Sequence, residues 1–135
     1  MLSLILHEYY KYITCFIRCI VSVLRADIKR DCRRQTNVTW ESLRQLKAGN
    51  IEQNDMKLKC YLRCFMMKSG ILNKDNNIDV EKVLRYLPRN MQESSRRTLN
   101  RCKSISAQNA CDKAFQIAMC YFKEHPEILK NAPII

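Results

Sequence analysis

Six cysteines after residue 26 have the types and spacings that disulfide chemistry needs. Cys60 and Cys64 are four residues apart, so a helix would carry both thiols on one face, one turn apart. The two are too close in sequence to gain much by pairing with each other, and each is expected to tie its helix to a different neighbour. The candidate partners are Cys32, Cys102, Cys111 and Cys120. Physical chemistry alone does not choose among the possible pairings.

Zinc binding and catalysis fit these residues less well. A zinc site needs reduced thiols in closely spaced pairs, usually with two residues between them, whereas three residues separate Cys60 from Cys64. After residue 26 the chain has one histidine, His125, and no nucleophile motif. We therefore predict that the protein is not an enzyme, and the sequence implies neither a metal nor a cofactor. A single histidine, expected to be exposed at a helix end, is also weak support for pH-dependent release of a ligand.

A calcium loop is suggested by the carboxylate and amide side chains of Asp75, Asn77 and Asp79. The EF-hand pattern requires a glycine at its sixth position and a glutamate at its twelfth. This chain has Val80 and Tyr86 at those positions. The pattern therefore fails, and the sequence does not predict a calcium site.

The abundance of cysteine indicates an oxidising compartment if the chain carries a secretion signal. An apolar run from Ile13 to Leu24 follows a lysine and ends near Ala26, just before a charged segment. This order of charged, apolar and small residues is typical of a signal peptide, and the run is short for a transmembrane helix. We therefore predict a signal peptide at 1–26, secretion to the extracellular space, and one domain over 27–135.

Cleavage after Ala26 would remove two of the eight cysteines, Cys15 and Cys19, and leave an even number. The chain has a net charge of +11 and the removed segment carries +2, so the mature protein would keep +9. Because Arg18 interrupts the apolar run, two alternatives stay open: a misassigned start codon upstream of a true signal, or an amphipathic helix that stays attached.

Helices dominate the predicted structure, because 2 Gly and 3 Pro leave little turn chemistry for a sheet. Hydrophobic residues make up 47% of the chain, which argues against a disordered or fibrous protein. Apolar spacing and end signals predict an all-α, compact bundle of about six helices. These helices cover about residues 27–36, 40–47, 54–69, 80–87, 91–103 and 110–123.

The N-terminal signals of four helices are specific predictions. Thr39 is expected to cap the second helix, Asp79 the fourth and Asn90 the fifth. Gln53 or Asn54 is expected to open the third helix. Apolar residues cover well over half of the circumference of that third helix, which predicts a central and widely buried element.

Two glycines and one apolar face complete the prediction for the second and third helices. Gly49 and Gly70 follow these helices and are expected to end them. The second helix is expected to bury Trp40, Leu43 and Leu46.

The segment Asn37-Val38-Thr39 is an N-glycosylation sequon. It has meaning only if the chain is secreted, and such triplets also occur by chance. Asn37 is the predicted attachment site.

The cysteine spacing also resembles a known pattern. In order, 27, 3, 37, 8 and 8 residues separate the six cysteines. This spacing is similar to the six-cysteine signature of the insect odorant-binding proteins, the general odorant and pheromone-binding type. The flanking residues agree, since the chain contains LKCYLRC followed by a glycine and an Asn/Asp turn, then Leu87-Pro88 and AMCYF. The resemblance covers about Asp27 to Glu124.

The resemblance implies a pairing, a fold and a function. The implied fold has about six α-helices around an apolar cavity, and the implied function is a secreted carrier that binds and solubilises small odorant-like or pheromone-like hydrophobic molecules. Closing the 102–120 loop alone would contribute about 3 kcal/mol on the chain-entropy estimate. The implied interlocked disulfides are Cys32–Cys64, Cys60–Cys111 and Cys102–Cys120.

Inward-facing positions on the predicted helices nominate the lining of such a cavity. Methionines suit a pocket that tolerates several ligands, because their side chains adapt in shape. Tyr121 offers a hydroxyl to a ligand carbonyl or alcohol, with a surface hydroxyl as the alternative. For each nominated residue, the alternative is that it is an ordinary part of the hydrophobic core and lines no cavity. The nominated residues are Leu46, Met66, Ile71, Ile78, Leu84, Leu87, Met91, Phe115, Ala118, Met119 and Tyr121.

The charge of +9 supports a rival function, because many proteins of this type are acidic or near neutral. The rival is a secreted, disulfide-stapled basic protein that binds anionic surfaces or partners and has no ligand cavity. The anion-binding face of such a protein would carry Arg89, Arg96, Arg97 and Arg101. No aromatic residues interleave with these arginines, so a solvated helix face is the simpler interpretation and no specific nucleic acid is expected. A small hydrophobic molecule is the expected partner, a membrane receptor is left open, and stable membrane insertion is not expected.

Overall fold

The computed structural model of the protein describes residues 27–131, and the predicted signal peptide at 1–26 lies outside these residues. In the described part the chain forms seven helices, one more than the six assigned from sequence. The added helix, α7, lies beyond the last helix that the sequence predicts. The helices are α1 (27–36), α2 (Trp40–Lys47), α3 (Met56–Lys68), α4 (Val80–Arg85), α5 (Arg89–Cys102), α6 (Ala110–Glu124) and α7 (Glu127–Asn131).

The all-α class is confirmed. Between residues 27 and 131 the only β-type pairing is one isolated antiparallel bridge that joins Leu72 to Ile78. No helix over this range is long and apolar enough to cross a membrane.

Short polar side chains start α2 and α4 as the sequence predicts. Thr39 accepts a hydrogen bond from the backbone N–H of Ser42, and the Asp79 carboxylate accepts one from the N–H of Lys82. Each bond satisfies one of the amide groups that the first turn of a helix leaves without a partner.

The start of α3 lies one residue beyond the predicted position. Asp55 is its N-cap, and the carboxylate accepts hydrogen bonds from the N–H groups of Lys57 and Leu58. The hydroxyl of Ser42 donates to the same carboxylate over 2.6 Å and holds the pKa of Asp55 below its usual range. A carboxylate that accepts several donors explains why Asp55 takes this position rather than Gln53 or Asn54.

The prediction for the start of α5 is wrong. Asn90 lies inside the first turn, and the helix begins after Pro88, with no side-chain capping bond. Pro88 is itself the N-cap, and its ring fixes φ near the observed −57°, so the proline sets the turn into the helix at this residue.

Glycines end α2 and α3 as predicted. Gly49 and Gly70 follow the C-caps with φ of +99° and +78°. Only glycine adopts these left-handed values without a steric cost from Cβ.

The packing of α3 against α6 is the most extensive contact between helices, and α5 also packs against α6. The short helix α4 lies on α5, and α7 closes against α2 and α6. The buried side chains form one continuous cluster that includes Leu58, Tyr61 and Leu62 from α3 and Phe115 and Phe122 from α6. This supports the interpretation of α3 as a central helix.

Three disulfides connect four of the helices, and they are the pairs that the family resemblance implies. Each Cα–Cα distance is within the range typical of a disulfide. The pairs are Cys32–Cys64 at 5.7 Å, Cys60–Cys111 at 4.6 Å and Cys102–Cys120 at 5.8 Å. Together they join α3 to α1 and to α6, and α6 to α5.

Trp40 is not buried, contrary to the prediction for α2. Its side chain is 55% exposed, whereas Leu43 and Leu46 are fully buried. The guanidinium of Arg33, from α1, lies 4.5 Å from the centre of the indole ring. A cation–π contact of this kind stabilises an aromatic ring at the surface, so the first residue of α2 does not need to enter the core.

Candidate ligand-binding site

The nominated lining residues are all buried or partly buried, and three of the eleven lie in loops instead of on helices. Seven of them belong to the buried cluster: Leu46, Met66, Leu84, Phe115, Ala118, Met119 and Tyr121. Three more are partly buried and pack against it: Ile71, Ile78 and Leu87. Met91 is also partly buried but is not one of the residues of the cluster. The fold therefore brings ten of the eleven to one apolar region.

A buried pair of hydroxyls interrupts this apolar region between α5 and α6. The Tyr121 hydroxyl lies 2.8 Å from Oγ of Ser95, close enough for a hydrogen bond in which either oxygen donates. Ser95 is fully buried and Tyr121 nearly so. Burial raises the pKa of Tyr121, partly offset by the hydrogen bond with Ser95, so the phenol stays neutral at physiological pH. The Tyr121 hydroxyl is therefore not the surface group of the alternative interpretation.

His125 extends this polar pair along α6. Its ring stacks on that of Tyr121 with 4.8 Å between the ring centres, and Nδ1 lies 3.5 Å from a carboxylate oxygen of Glu127. The side chain is only 13% exposed, so the expectation of an exposed histidine is wrong. The reason is that His125 caps the C-terminus of α6 and turns back towards α5 instead of entering solvent.

The buried hydroxyl of Thr98 connects His125 to a carboxylate. Its Oγ1 lies 3.2 Å from Nε2 of His125 and 2.9 Å from Oε2 of Glu124. The single hydroxyl proton of Thr98 is donated to one acceptor at a time, and the oxygen accepts from His125 when Nε2 carries its proton. The α5–α6 contact therefore contains a short hydrogen-bonded chain next to the apolar region.

Lys59 is a buried cation beside one of the disulfides. The residue is 8% exposed, its ammonium donates to Oδ1 of Asp112 over 2.8 Å, and it lies 5.4 Å from the centre of the Phe115 ring. The hydrogen bond from Lys59 holds the pKa of Asp112 below its usual range against the opposing effect of burial. Since Lys59 precedes Cys60 and Asp112 follows Cys111, the ion pair and the disulfide join α3 to α6 at adjacent positions.

Tyr61 supplies a second buried phenol on α3. Its side chain is fully buried, and burial raises the pKa of Tyr61 to about 12, although the nearby charge of Arg33 opposes the shift. The neutral ring contributes apolar surface to the core and lies 6.5 Å from the ring of Phe65.

A recess of about 470 Å³ opens on the surface where the loop after α3 meets α4 and α5. Ile78 is the one nominated lining residue at this recess, and most of the remaining wall is polar. Its other residues include Asn73, Asn77, Lys82 and Lys103. The recess is therefore a feature of the surface and is distinct from the apolar region between α3 and α6.

Most of the arginines on the proposed basic face form ion pairs. Arg96 pairs with Glu81, Arg97 lies 4.0 Å from Glu93, and Arg101 pairs with Glu124. Of the four arginines named for this face, Arg89 has no ion pair within residues 27–131. In the same range no group of three or more His, Cys, Asp or Glu side chains has a geometry that could hold a metal ion.

Comparison with known sequences identifies the family. The profile of the PBP/GOBP family matches residues 23–124, which include all six cysteines of the three disulfides. The chain belongs to the PBP/GOBP family.

Individual PBP/GOBP relatives and structures agree with this assignment. Odorant-binding protein 10 of Aedes aegypti is 28% identical over 99 residues, which cover 73% of this chain and 71% of that protein. The crystal structure of the Locusta migratoria odorant binding protein lmigOBP1 is 29% identical, with a TM-score of 0.68 over 81% of this chain and 84% of that one. OBP56a, a fatty acid binding protein from the oral disk of the blowfly Phormia regina, is 26% identical, with a TM-score of 0.64 over 78% and 92%.

Two buried polar features of this PBP/GOBP chain are not predicted from its sequence. The contacts of Ser95 and Thr98 to α6 join residues 26 or 27 positions apart, so no local pattern signals them. The burial of Lys59 is also not predicted. The available signal was its position directly before Cys60, which must face a neighbouring helix.

Proposed function

We propose that the protein is a secreted carrier that binds one small hydrophobic molecule in the apolar region between α3, α4, α5 and α6 and keeps it soluble. The observation that carries this proposal is the family match over 23–124, which contains the complete set of paired cysteines. The disulfides support it further, since they form in oxidising compartments and would hold a small helical shell around a cavity. On this proposal residues 1–26 are the signal peptide and 27–135 are the carrier domain.

The proposed site combines apolar surface with few polar groups, which is typical of pockets for small ligands. Met66, Met91 and Met119 would adapt to ligands of different shape, because the thioether side chain has several accessible rotamers. The Ser95–Tyr121 pair would orient a ligand that carries one carbonyl or hydroxyl group. Tyr121 is suited to this role because its hydroxyl is buried and remains protonated.

The chemical class of the ligand is a small, largely apolar molecule. The Phormia regina relative is described as a fatty acid binding protein, which supports an apolar chain with one polar end as the first candidate for this protein. The net positive charge remains the one observation behind the rival, a basic binder of anionic surfaces, but three of the four arginines it relies on form ion pairs with glutamates.

A displacement titration tests the carrier function. Oxidised, folded protein is titrated with an environment-sensitive apolar dye, and bound dye is then displaced by a long-chain alcohol or by the alkane of equal length. We expect saturable micromolar binding and displacement by both compounds. Absence of saturable dye binding to correctly oxidised protein would overturn the proposal.

Two variants that each remove one hydroxyl test the polar contact. Tyr121→Phe should weaken the alcohol about fivefold and leave the alkane unchanged, because one hydrogen bond contributes about 1 kcal/mol. Tyr86→Phe is the matched control, since the Tyr86 hydroxyl donates to the carbonyl of Ser69 and the residue is 57% exposed. Equal effects of the two variants would show that Tyr121 does not contact the ligand.

A further inference from the structure

We propose that Asn37 carries an N-linked oligosaccharide in the mature protein. Asn37-Val38-Thr39 is the one Asn-X-Ser/Thr triplet in the whole chain. The inference rests on the proposed function in one respect, which is secretion, because oligosaccharide is transferred to chains that enter the secretory pathway. It does not depend on the ligand or on the apolar site.

The structure places Asn37 where a bulky group fits. The residue lies in the three-residue turn between α1 and α2 and is exposed. Its backbone N–H donates to the carbonyl of Arg33 over 2.9 Å and so completes the end of α1. Within residues 27–131 its side-chain amide has no hydrogen-bond partner, so the fold does not need this amide for itself.

The backbone at Asn37 supports attachment without rearrangement. Its φ is +55°, a left-handed value that asparagine tolerates better than most residues. The next residue, Val38, packs into the core, so the turn is anchored by its apolar side chain while the amide of Asn37 stays outside. A sugar on the amide nitrogen would therefore leave both the turn and the core unchanged.

Thr39 would serve two purposes in succession. In the nascent chain its hydroxyl completes the sequon, and in the folded protein the same oxygen accepts a hydrogen bond from the N–H of Ser42 over 3.1 Å as the cap of α2. The two roles do not compete, since transfer precedes folding of this segment.

The covalent step is a glycosyl transfer from a lipid-linked pyrophosphate oligosaccharide. A bond forms between Nδ2 of Asn37 and C1 of the first sugar, and the bond from C1 to the pyrophosphate oxygen breaks. The lipid pyrophosphate leaves with the electron pair of that bond, and one amide proton passes to a base. No oxidant or reductant is required.

The first sugars would lie beside an exposed aromatic corner. Arg33 connects Asn37 and Trp40, because its carbonyl accepts from Asn37 and its guanidinium stacks on the indole of Trp40. Among residues 27–131, Trp40 is one of the few large hydrophobic residues that stay exposed. Attached sugar at this turn would shield that ring and add to the solubility of the protein.

Intact mass of the protein secreted from insect cells tests the inference. The wild type should have the mass of a glycan added to the polypeptide. Enzymatic release of the glycan from the amide should return the polypeptide mass plus about one dalton, because Asn37 becomes aspartate. Mass before and after reduction shows in the same sample whether three disulfides are present.

Three variants keep the fold and separate the two roles of the triplet. Thr39→Ser preserves both the sequon and the cap and should remain glycosylated. Thr39→Asp preserves the cap but destroys the sequon, and Asn37→Asp preserves the turn but removes the acceptor, so both should have the polypeptide mass alone. Secreted, oxidised wild type without a glycan, or Thr39→Asp with one, would overturn the inference. Failure of secretion or of oxidation would instead overturn the proposed function on which it rests.

Discussion

The α3–α6 seam and the segment around α4 are both helical, but different interactions hold them. The seam has the Cys60–Cys111 disulfide and, one position away on each helix, the Lys59–Asp112 ion pair. The α4 segment has no cysteine and depends on a capped helix of six residues, one β-bridge and packing on α5. Since local opening is least costly where few strong contacts hold a segment, α4 should open at a lower free energy than the seam.

The largest effect should follow from removing the disulfide of the seam. Cys60→Ser with Cys111→Ser opens a link across 51 residues and should lower the free energy of unfolding by about 4 kcal/mol on the chain-entropy estimate. Cys102→Ser with Cys120→Ser opens a link across 18 residues and should cost about 3 kcal/mol. Urea unfolding of both double variants measures the two losses in free energy of unfolding. If the Cys102/Cys120 variant lost as much as the Cys60/Cys111 variant, or more, loop length would not govern the stabilisation.

Alkaline pH should have the next largest effect on stability, through the buried phenol of Tyr61 on α3. An unfolded tyrosine ionises near pH 10, whereas the folded pKa of Tyr61 is raised to about 12, so the folded state keeps its proton longer. The contribution of neutral Tyr61 to the free energy of unfolding, about 3 kcal/mol, is complete below pH 10 and is lost as the pH rises towards 12. Tyr61→Phe should remove this part of the pH dependence in urea unfolding, while the control Tyr86→Phe should retain it.

Breaking the ion pair of the seam should have an intermediate effect. Lys59→Met leaves Asp112 without its partner and should cost about 2 kcal/mol at pH 7, because hydrogen bonds to charged groups are among the stronger ones. The pKa of Asp112 is lowered, so its contribution is present above the ordinary carboxyl pKa and is lost as the pH falls through the folded value.

The stability difference between the wild type and Lys59→Met should therefore shrink in acid. Urea unfolding at pH 7 and at pH 3 measures it. Lys123→Met is the matched control, since Lys123 is exposed on α6 and makes no ion pair in the described part of the chain. A difference that did not change with pH would point to lost packing of the Lys59 side chain instead of lost charge.

The smallest effect should come from the α4 segment and should stay local. Asp79→Ala removes the cap of α4 and should cost about 1 kcal/mol, which raises amide hydrogen exchange in α4 about fivefold. Asp79→Asn keeps an oxygen acceptor and should exchange almost like the wild type. If exchange in α3 and α6 rose equally, α4 and the seam would open as one unit.

The starts of α2 and α4 were predictable because a side chain makes the first capping bond, whereas the start of α3, which also has a side-chain cap, was placed one residue early. Thr39 and Asp79 carry that chemistry in their own side chains, so the sequence alone identifies them. Asn90 has the same chemistry but lies two positions too late, because the ring of Pro88 already sets the turn. Trp40 was misplaced because the arginine that covers its ring belongs to another helix.

The sequence predicts which helix faces contribute to the candidate site, but it does not predict how those faces contact one another. Apolar spacing puts Met66, Phe115 and Met119 on buried faces, because helical period alone decides which side of an element is apolar. The contact between Ser95 and Tyr121 depends on how α5 packs on α6, which spacing does not encode. The disulfide pairs came from family resemblance, since helix geometry alone allowed several.

The pairing of Cys60 and Cys64 with different helices has a consequence for proteolysis. Every peptide bond between Cys32 and Cys120 is spanned by at least one disulfide. A single cut in any loop of that range would therefore leave two pieces joined by sulfur, and a nicked molecule would run as one band until it is reduced. In a fluid that contains proteases, the protein would keep its chain together after the first cleavage.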